Sequence, residues 1–130
     1  MYQKVYSGEA AASKVQEGAR ILYSAVKSTM GPGGHCVVID NGTGAPTITK
    51  DGVTVAKAIN LRDRLESVGA ELLKEVASKT AETAGDGTTS STVIAYHLLK
   101  EGYKEIASGR SAVRIRRGID DACAQVTQRL

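Results

Sequence analysis

The sequence lacks tryptophan and phenylalanine, and its two cysteines lie far apart. Because Cys36 and Cys123 have no CxxC partner, they indicate neither a zinc site nor a disulfide framework. Five tyrosines leave few platforms on which single-stranded nucleic acid bases could stack. No apolar run is long enough to cross a bilayer, and the amino terminus has no apolar stretch of the signal-peptide type. These absences predict a soluble, unexported protein.

The composition sets the size and the class of the chain. Of its 130 residues, 42% are apolar, which is enough for one packed domain or a part of one. The net charge of +3 is too small to indicate nucleic acid binding unless the basic residues are concentrated. One basic cluster consists of Arg110, Arg114, Arg116 and Arg117. A solvated helix face is the simpler interpretation, and a basic helical nucleic-acid-binding domain is kept as a remote alternative.

Apolar spacing and glycine or proline stops predict a mainly α chain. The helices are expected over Ser7–Thr29, over VTVAKAI after Gly52, over Arg62–Thr83, from the Gly85 region to Ser108, and from Ser111 onward. Two short β-branched runs, Cys36–Asp40 and Pro46–Thr49, predict a β-hairpin with a turn at Asn41-Gly42. These two strands need a neighbouring sheet or chain to be stable.

The last predicted helix carries apolar residues at the spacing of one buried face: Ile115, Ile119, Ala122, Cys123, Val126 and Leu130. Ser111 is a suitable N-cap residue for it. No glycine, asparagine or proline follows its end, whereas a natural domain more often finishes with a cap or a polar tail. We therefore expect the chain to be the amino-terminal piece of a longer protein.

The stretch from Gly85 to Thr92, GDGTTSST, is poor for packing and well suited to phosphate. Backbone N–H groups at the start of a helix are unpaired and lie at the positive end of the helix dipole, where they stabilise an anion. Because Asp86 repels an anion, we expect a cation between them, and Mg²⁺ commonly binds through one carboxylate plus phosphate oxygens. An ordinary capped helix start with a Gly-Asp-Gly turn is the simpler alternative.

Three glycine-marked loops share this chemistry: TMGP at Thr29–Pro32, KDG at Lys50–Gly52, and GDGTT at Gly85–Thr89. If the fold brings them together, they would bind a nucleoside triphosphate, with its metal on Asp86 and with Asp51 free to orient a water. Neither GxxxxGK[ST] nor GxGxxG is present, so the site would be neither a P-loop nor a Rossmann site. For each loop taken alone, a structural turn remains the alternative.

The order TMGP, GAPTITKDGVTVAKAI, EVASKTAETAGDGTTSSTV and RRGID resembles the amino-terminal part of a type I chaperonin, the bacterial and organellar sixty-kilodalton class. The similarity covers nearly all of the chain in one register. It implies a multihelical fragment of the equatorial domain with a small β-hairpin. Residues 1–130 would form the amino-terminal portion of this ATP-binding domain, and the intermediate and apical domains would lie outside the chain.

The resemblance also implies a site, residue by residue. Asp86 matches the Mg²⁺ ligand of the family, and Asp51 matches a carboxylate that helps to activate the attacking water. The main-chain oxygens of Thr29 and Lys50 and the Thr89 hydroxyl match the positions that hold K⁺. The positions that match the nucleotide contacts are Thr29, Met30, Gly31, Pro32, Lys50, Asp86, Gly87, Thr88, Thr89 and Ser90.

The function implied by the resemblance is ATP-dependent folding of non-native polypeptides. Identical subunits would form a ring, expected to have seven members, with a lid co-chaperonin as a further partner and with ATP, Mg²⁺ and K⁺ as cofactors. We expect a location in the cytoplasm, an organelle matrix or an infected cell, without membrane or nucleic acid partners. The full-length protein would be an ATP hydrolase, whereas the isolated chain would hydrolyse little ATP. A short ring-interface or nucleotide-binding module without ATPase activity is the main alternative.

The sequence departs from the family pattern near the expected site. Gly33 replaces the usual lysine and His35 the usual arginine, so two positive charges near the site mouth are removed or weakened. Thr43 lies at the hairpin tip, where an aromatic residue is common. The resemblance implies that the hairpin of residues 36–49 adds strands to the sheet of the adjacent subunit.

Overall fold

The structure, a computed structural model, describes residues 5–40 and 42–130 of the chain. Its elements are α1 (Glu9–Lys27), β1 (Val37–Ile39), β2 (Thr47–Thr49), α2 (Gly52–Ala58), α3 (Arg64–Ala84), α4 (Thr88–Ala107) and α5 (Ala112–Arg129). The prediction of a mainly α chain with one small hairpin is confirmed. No helix within these ranges has the length and apolar character needed to span a membrane. Residues up to His97 form one compact unit, and Leu98–Leu130 form a second.

Helices α1 and α3 pack against each other at two glycines, Gly18 and Gly69. A β-carbon on Gly18 would overlap the backbone carbonyl of Glu66, and one on Gly69 would overlap the carbonyl of Val15. Neither glycine has a positive φ, so the backbone conformation alone does not require glycine there. Glycine is required because the two helix backbones are in direct contact and leave no room for a β-carbon.

The core of the first unit is built from three helices that pack on one another. Most of its side chains are small, and half of them are alanines, which suits helices that approach so closely. The spacing on α1 follows the single apolar face that the sequence predicts. The buried apolar residues are Ala19, Leu22 and Val26 from α1, Val55 and Ala56 from α2, and Ala70, Leu73 and Ala77 from α3.

A cluster of charged groups joins α1 to the start of α3. Asp63 caps α3 by accepting hydrogen bonds from the amides of Leu65 at 2.9 Å and Glu66 at 3.1 Å. The Lys14 ammonium lies 3.1 Å from Asp63 Oδ2 and 3.0 Å from Glu66 Oε1. The Glu66 amide, followed by Lys14, lowers the pKa of Asp63. Because Lys14 and Asp63 remain partly open to solvent, these ion pairs orient α3 more than they stabilise it.

Aromatic rings connect α1 to the first half of α4 inside the first unit. The rings of Tyr23 and Tyr96 stack with their centroids 4.1 Å apart and their planes 14° apart. His97 meets both rings edge-on, and its Nε2 lies 3.3 Å from the Tyr23 hydroxyl. Lys27 extends over the Tyr23 ring at 5.4 Å from the centroid. This cluster packs α4 against α1 at Tyr96 and His97, within the first half of α4.

The hairpin is antiparallel, with Val38 opposite Ile48. Both side chains are about two-thirds exposed, at 63% and 65%. An exposed apolar pair on a two-stranded sheet fits the expectation that this hairpin needs a partner. The predicted turn includes Asn41, which lies outside the described residues. Next to it, the Gly42 amide donates to Asp40 Oδ1 at 2.9 Å.

The prediction of a buried face on α5 is wrong for the described residues, because no α5 residue is buried. Ile115 and Ile119 are half-buried, whereas Val126 is 58% exposed and Leu130 is fully exposed. Cys123, a predicted core thiol, is also exposed. The spacing marks the face that a helix can bury, but it does not show whether a partner covers that face.

We predict that Gly69→Ala destabilises the protein by about 1–3 kcal/mol or more, as expected when a group is forced into packed space. The reason is the overlap with the Val15 carbonyl, which belongs to backbone and cannot turn away. Urea unfolding of the full-length protein measures the effect.

Gly102→Ala is the matched control, because a β-carbon at this position in α4 meets nothing within 4 Å. Both substitutions replace a helical glycine by alanine and gain about 1 kcal/mol of helix propensity. The difference between their unfolding free energies therefore reports the overlap alone. Equal unfolding free energies for the two variants would contradict the close helix contact.

Candidate functional site

The junction between α3 and α4 consists of Gly85, Asp86 and Gly87. Gly85 ends α3 with a left-handed φ of 71°, and its amide donates to the Ala81 carbonyl at 3.0 Å. Gly87 also has a positive φ, of 78°, and its carbonyl accepts from the Ser91 amide at 2.9 Å. Both conformations favour glycine. The two glycines connect α3 to α4 within three residues and leave Asp86 exposed between the helices.

The first turn of α4 leaves three amides without an intrahelical partner. Thr88, Thr89 and Ser90 precede Ser91, whose amide makes the first bond of the helix. The residue before them, Gly87, has no side chain that could cap these amides. They lie at the positive end of the helix dipole, so this turn can bind an anion.

The hydroxyl run of GDGTTSST divides into two groups with different surroundings. The hydroxyls of Ser91 and Thr92 donate to the Thr88 carbonyl at 2.9 and 2.8 Å, and Thr92 is fully buried. Thr88 and Thr89 are half-buried, and Ser90 is exposed. The hydroxyls closest to the unpaired amides are therefore those of residues 88–90, which are the positions that the resemblance assigns to phosphate.

Asp51 is the N-cap of α2. Its Oδ2 accepts from the Thr54 amide at 2.9 Å and from the Thr54 hydroxyl at 2.5 Å. The Thr54 hydroxyl, helped by the amides of Thr54 and Val53, lowers the pKa of Asp51 below its usual 3.8, although partial burial opposes this. Asp51 is therefore an anion at neutral pH. It is also bound to Thr54, whereas the sequence suggested a carboxylate free to orient a water.

The starts of α2 and α4 touch at Gly52. This residue is buried, and a β-carbon on it would overlap Thr89 Oγ1. The same β-carbon would lie 3.2 Å from Thr88 Oγ1 and 3.3 Å from the Thr89 amide nitrogen. Because Asp51 directly precedes Gly52, its backbone lies beside the first turn of α4. Two of the three predicted loops, KDG and GDGTT, are thus brought together.

The third predicted loop follows α1. Thr29 is buried, and its hydroxyl donates to the Val26 carbonyl at 2.7 Å. The Gly34 amide donates to the Gly31 carbonyl at 3.0 Å, and a β-carbon on Gly34 would overlap the Thr29 carbonyl. The hydrogen bonds described for residues 28–35 are all within the loop or to the end of α1. The loop is linked to the KDG segment through α1, which packs against α2, and a direct approach stays a prediction.

The other predicted contact residues lie on the surface. Met30, Gly31 and Pro32 are exposed, as is Lys50 at the end of the hairpin. Gly33 and His35, the two departures from the family pattern, are exposed as well. These positions are open to a ligand from solvent.

The described ranges contain no group of three or more His, Cys, Asp or Glu that could hold a metal ion. A divalent cation would therefore depend on Asp86 and on oxygens of a bound ligand, which is how Mg²⁺ commonly binds with phosphates. Asp86 is exposed, and its Oδ1 accepts from the Gly87 amide at 2.7 Å. These residues fit a magnesium–phosphate ligand. Two of the positions expected to hold K⁺, Lys50 and Thr89, are close to each other in the structure, because Lys50 lies two residues before Gly52 and Gly52 contacts Thr89.

The sequence matches the TCP-1/cpn60 chaperonin family over residues 22–130. A similar solved structure is the chaperonin gp146 from the bacteriophage EL 2 (Pseudomonas aeruginosa), determined in the presence of ATP-BeFx. The two share 37% sequence identity with a TM-score of 0.63, over 78% of this chain and 20% of that chain.

The fold and the family match define a chaperonin. The chain belongs to the TCP-1/cpn60 chaperonin family, and the resemblance found in its motifs is confirmed. It spans about a fifth of the length of the phage chaperonin.

Two residues that shape this site, Gly52 and Thr54, were not predicted from the sequence. The KDG motif predicts a turn at Gly52, whereas Gly52 is the first residue of α2 and has no positive φ. An Asp followed three residues later by a Thr at the start of a helical pattern is an N-cap signal, so the role of Thr54 could have been found. The contact of Gly52 with Thr89 joins residues far apart in the chain and has no local signal.

The arginine cluster near the carboxy-terminal end has acidic neighbours. Arg110 Nε lies 2.7 Å from Glu105 Oε2, and Arg116 Nε lies 4.0 Å from Asp120 Oδ2. The arginines of both pairs are exposed. This arrangement fits the solvated helix face that is the simpler interpretation of the cluster.

We predict that Thr54→Val destabilises the protein by about 1 kcal/mol at pH 7, the usual contribution of one hydrogen bond. The hydroxyl that lowers the pKa of Asp51 is lost, so this pKa rises towards its usual value. A lowered pKa stabilises the folded state above pH 3.8, and the contribution is lost as the pH falls through the folded pKa. The difference from wild type should therefore shrink in acid.

Urea unfolding between pH 7 and pH 2.5 measures this difference. Thr54→Ser retains the hydroxyl and is the matched control, with a pH dependence like that of wild type. A Thr54→Val deficit of the same size at both ends of the pH range would contradict the role of the Asp51 charge.

Proposed function

We propose that this chain is the nucleotide-binding part of an ATP-dependent chaperonin subunit, which assembles into a ring and assists the folding of non-native proteins. The observation that carries the proposal is the contact of Gly52 with Thr88 and Thr89, which joins the KDG and GDGTT segments. Membership of the chaperonin family supports it. The similar phage chaperonin was crystallised in the presence of ATP-BeFx, which supports ATP as the ligand.

The phosphates would bind at the amino-terminal end of α4. The amides of Thr88, Thr89 and Ser90 have no intrahelical partner and would donate to phosphate oxygens. Gly87 lets the backbone turn without a side chain in the way. Asp86 would coordinate Mg²⁺ together with the phosphates. The exposed residues Met30, Gly31, Pro32 and Lys50 would complete the contacts to the nucleotide.

Asp51 would orient the attacking water. The carboxylate is an anion at neutral pH, and its two bonds to Thr54 hold it in one orientation at the start of α2. In phosphoryl transfer, the protein contributes mainly by positioning reactants and by neutralising charge. The fixed Asp51 carboxylate beside the first turn of α4 would position the water, and a cation on Asp86 would neutralise charge on the phosphates. K⁺ would add positive charge at the main-chain oxygens of Thr29 and Lys50 and the Thr89 hydroxyl.

Assembly would use the hairpin. Its exposed Val38–Ile48 pair suits the addition of β-strands from an identical subunit. Non-native polypeptides and a lid co-chaperonin would be the further partners of the assembled ring.

We predict that Asp86→Asn weakens the binding of Mg·ADP by about tenfold or more, since a charged metal ligand is replaced by a neutral one. Asparagine can still accept the hydrogen bond from the Gly87 amide, so the turn should persist. Calorimetric titration of the full-length protein with ADP, in magnesium and then in EDTA, measures the effect. The variant and the wild type should bind equally in EDTA; equal affinity in magnesium would count against the metal assignment.

We predict that Asp51→Asn lowers the ATP turnover rate by about tenfold or more, with little change in Mg·ADP affinity, because only the water-orienting charge is removed. Asparagine is as good an N-cap as aspartate, so the variant should fold, with an unfolding free energy up to about 1 kcal/mol below wild type at pH 7 because the bonds from Thr54 lose their charged acceptor. Steady-state phosphate release and urea unfolding provide the two measurements. Unchanged turnover in a folded variant would reject the proposed role of Asp51.

A further inference from the structure

We infer that Gly52 is a positioning residue of this site. Because it has no β-carbon, the start of α2 leaves room for the Thr89 hydroxyl to keep its position at the start of α4. This inference rests on the proposed function. It assigns Gly52 a role that acts through Thr89, by leaving room for the Thr89 hydroxyl.

The backbone conformation does not explain why Gly52 is a glycine. Gly85 and Gly87 have positive φ values, and a β-carbon on either would meet nothing within 4 Å. Gly52 has no positive φ and is the first residue of a helix. Its backbone conformation gives glycine no advantage over alanine at this position. The local structure of α2 therefore does not require a glycine here.

The atoms around Gly52 explain the glycine, and they differ from those at the crossing of α1 and α3. At Gly18 and Gly69, a β-carbon would overlap backbone carbonyls, so glycine is needed there for the helices to pack. At Gly52 the overlapping atom is a side-chain hydroxyl, that of Thr89. A backbone carbonyl cannot turn away from a methyl group, but a threonine can change its χ1 rotamer. A methyl group on Gly52 should therefore leave the fold unchanged and displace the Thr89 hydroxyl.

The neighbouring atoms limit how the methyl group could be accommodated. The Thr88 hydroxyl at 3.2 Å and the Thr89 amide nitrogen at 3.3 Å are both closer than ordinary van der Waals contact. Relief therefore requires a new Thr89 rotamer, a shift of the first turn of α4, or both. Each of these displaces groups proposed to bind phosphate and cation. Since Asp51 adjoins Gly52, the spacing between the water-orienting carboxylate and the phosphate turn would change as well.

We expect Gly52→Ala to weaken Mg·ADP binding by about tenfold or more and to lower turnover further, since a misplacement of 1 Å costs on the order of a hundredfold in rate. The test uses the full-length protein, with Mg·ADP affinity by calorimetry and urea unfolding as separate readouts. The variants are Gly52→Ala, Thr89→Ala and the double variant Gly52→Ala/Thr89→Ala. Gly102→Ala is the control, since a β-carbon there meets open space; it should bind Mg·ADP as wild type does.

The double variant tests whether Gly52 acts through Thr89. Once the Thr89 hydroxyl is gone, the one overlap is removed, and the remaining contacts with the Thr88 hydroxyl and the Thr89 amide nitrogen need to give by only a few tenths of an ångström. The double variant should therefore bind Mg·ADP nearly as Thr89→Ala does. Losses that simply add would mean that the two residues act independently and would overturn the inference. A folded Gly52→Ala that binds Mg·ADP as wild type does would overturn it too.

Folding failures and failures of the proposed function give distinct results. If Gly52→Ala does not fold but the double variant folds and binds as Thr89→Ala does, the steric link to Thr89 is supported. If both fail to fold, Gly52 belongs to the fold like Gly69, and the inference is overturned. If the folded wild-type protein does not bind Mg·ADP, the proposed function fails and the inference falls with it, before any variant is compared.

Discussion

Helices α1 and α3 lie in backbone contact because Gly18 and Gly69 have no side chains to separate them. This contact sets the scale of the surrounding packing. At such a short separation only small groups fit between the helices, and Ala19, Ala70 and Ala77 are fully or almost fully buried there. Helix α2 then packs on both α1 and α3 through Val55 and Ala56. The position of α2, and with it that of Asp51, follows from a crossing that tolerates no β-carbon.

The candidate site repeats this principle where α2 meets α4. At the crossing, a missing β-carbon lets two backbones touch; at Gly52, it lets a backbone touch the hydroxyls of Thr88 and Thr89. The junction at Gly85–Gly87 uses glycine differently, because its positive φ values end one helix and begin the next within three residues, which leaves Asp86 exposed and three amides without an intrahelical partner. The arrangement is typical of an anion site at a helix start, with one carboxylate nearby and no acidic cluster among the described residues.

Much of the fold could be predicted from local patterns. The 3.6-residue spacing and the glycine stops place α1 and α3 within two residues of their observed ends, because these signals act within a single helix. The motifs of the site were found in the same way, and Asp51 and Asp86 were both named. What failed required knowledge of distant residues: the exposure of Cys123 and Val126, and the contact of Gly52 with Thr89. Amphipathic spacing identifies a face but not whether a partner covers it.

The tyrosine stack between α1 and α4 has an optical consequence. The chain contains no tryptophan, so its near-ultraviolet emission comes from its tyrosines. The Tyr23 and Tyr96 rings are 4.1 Å apart, and the Tyr23 hydroxyl lies 3.3 Å from a histidine nitrogen. Stacking and proton acceptors both quench tyrosine emission. Tyr96 is on α4, so a loosening of α4 from α1 should raise the tyrosine emission, which can be followed without any introduced dye.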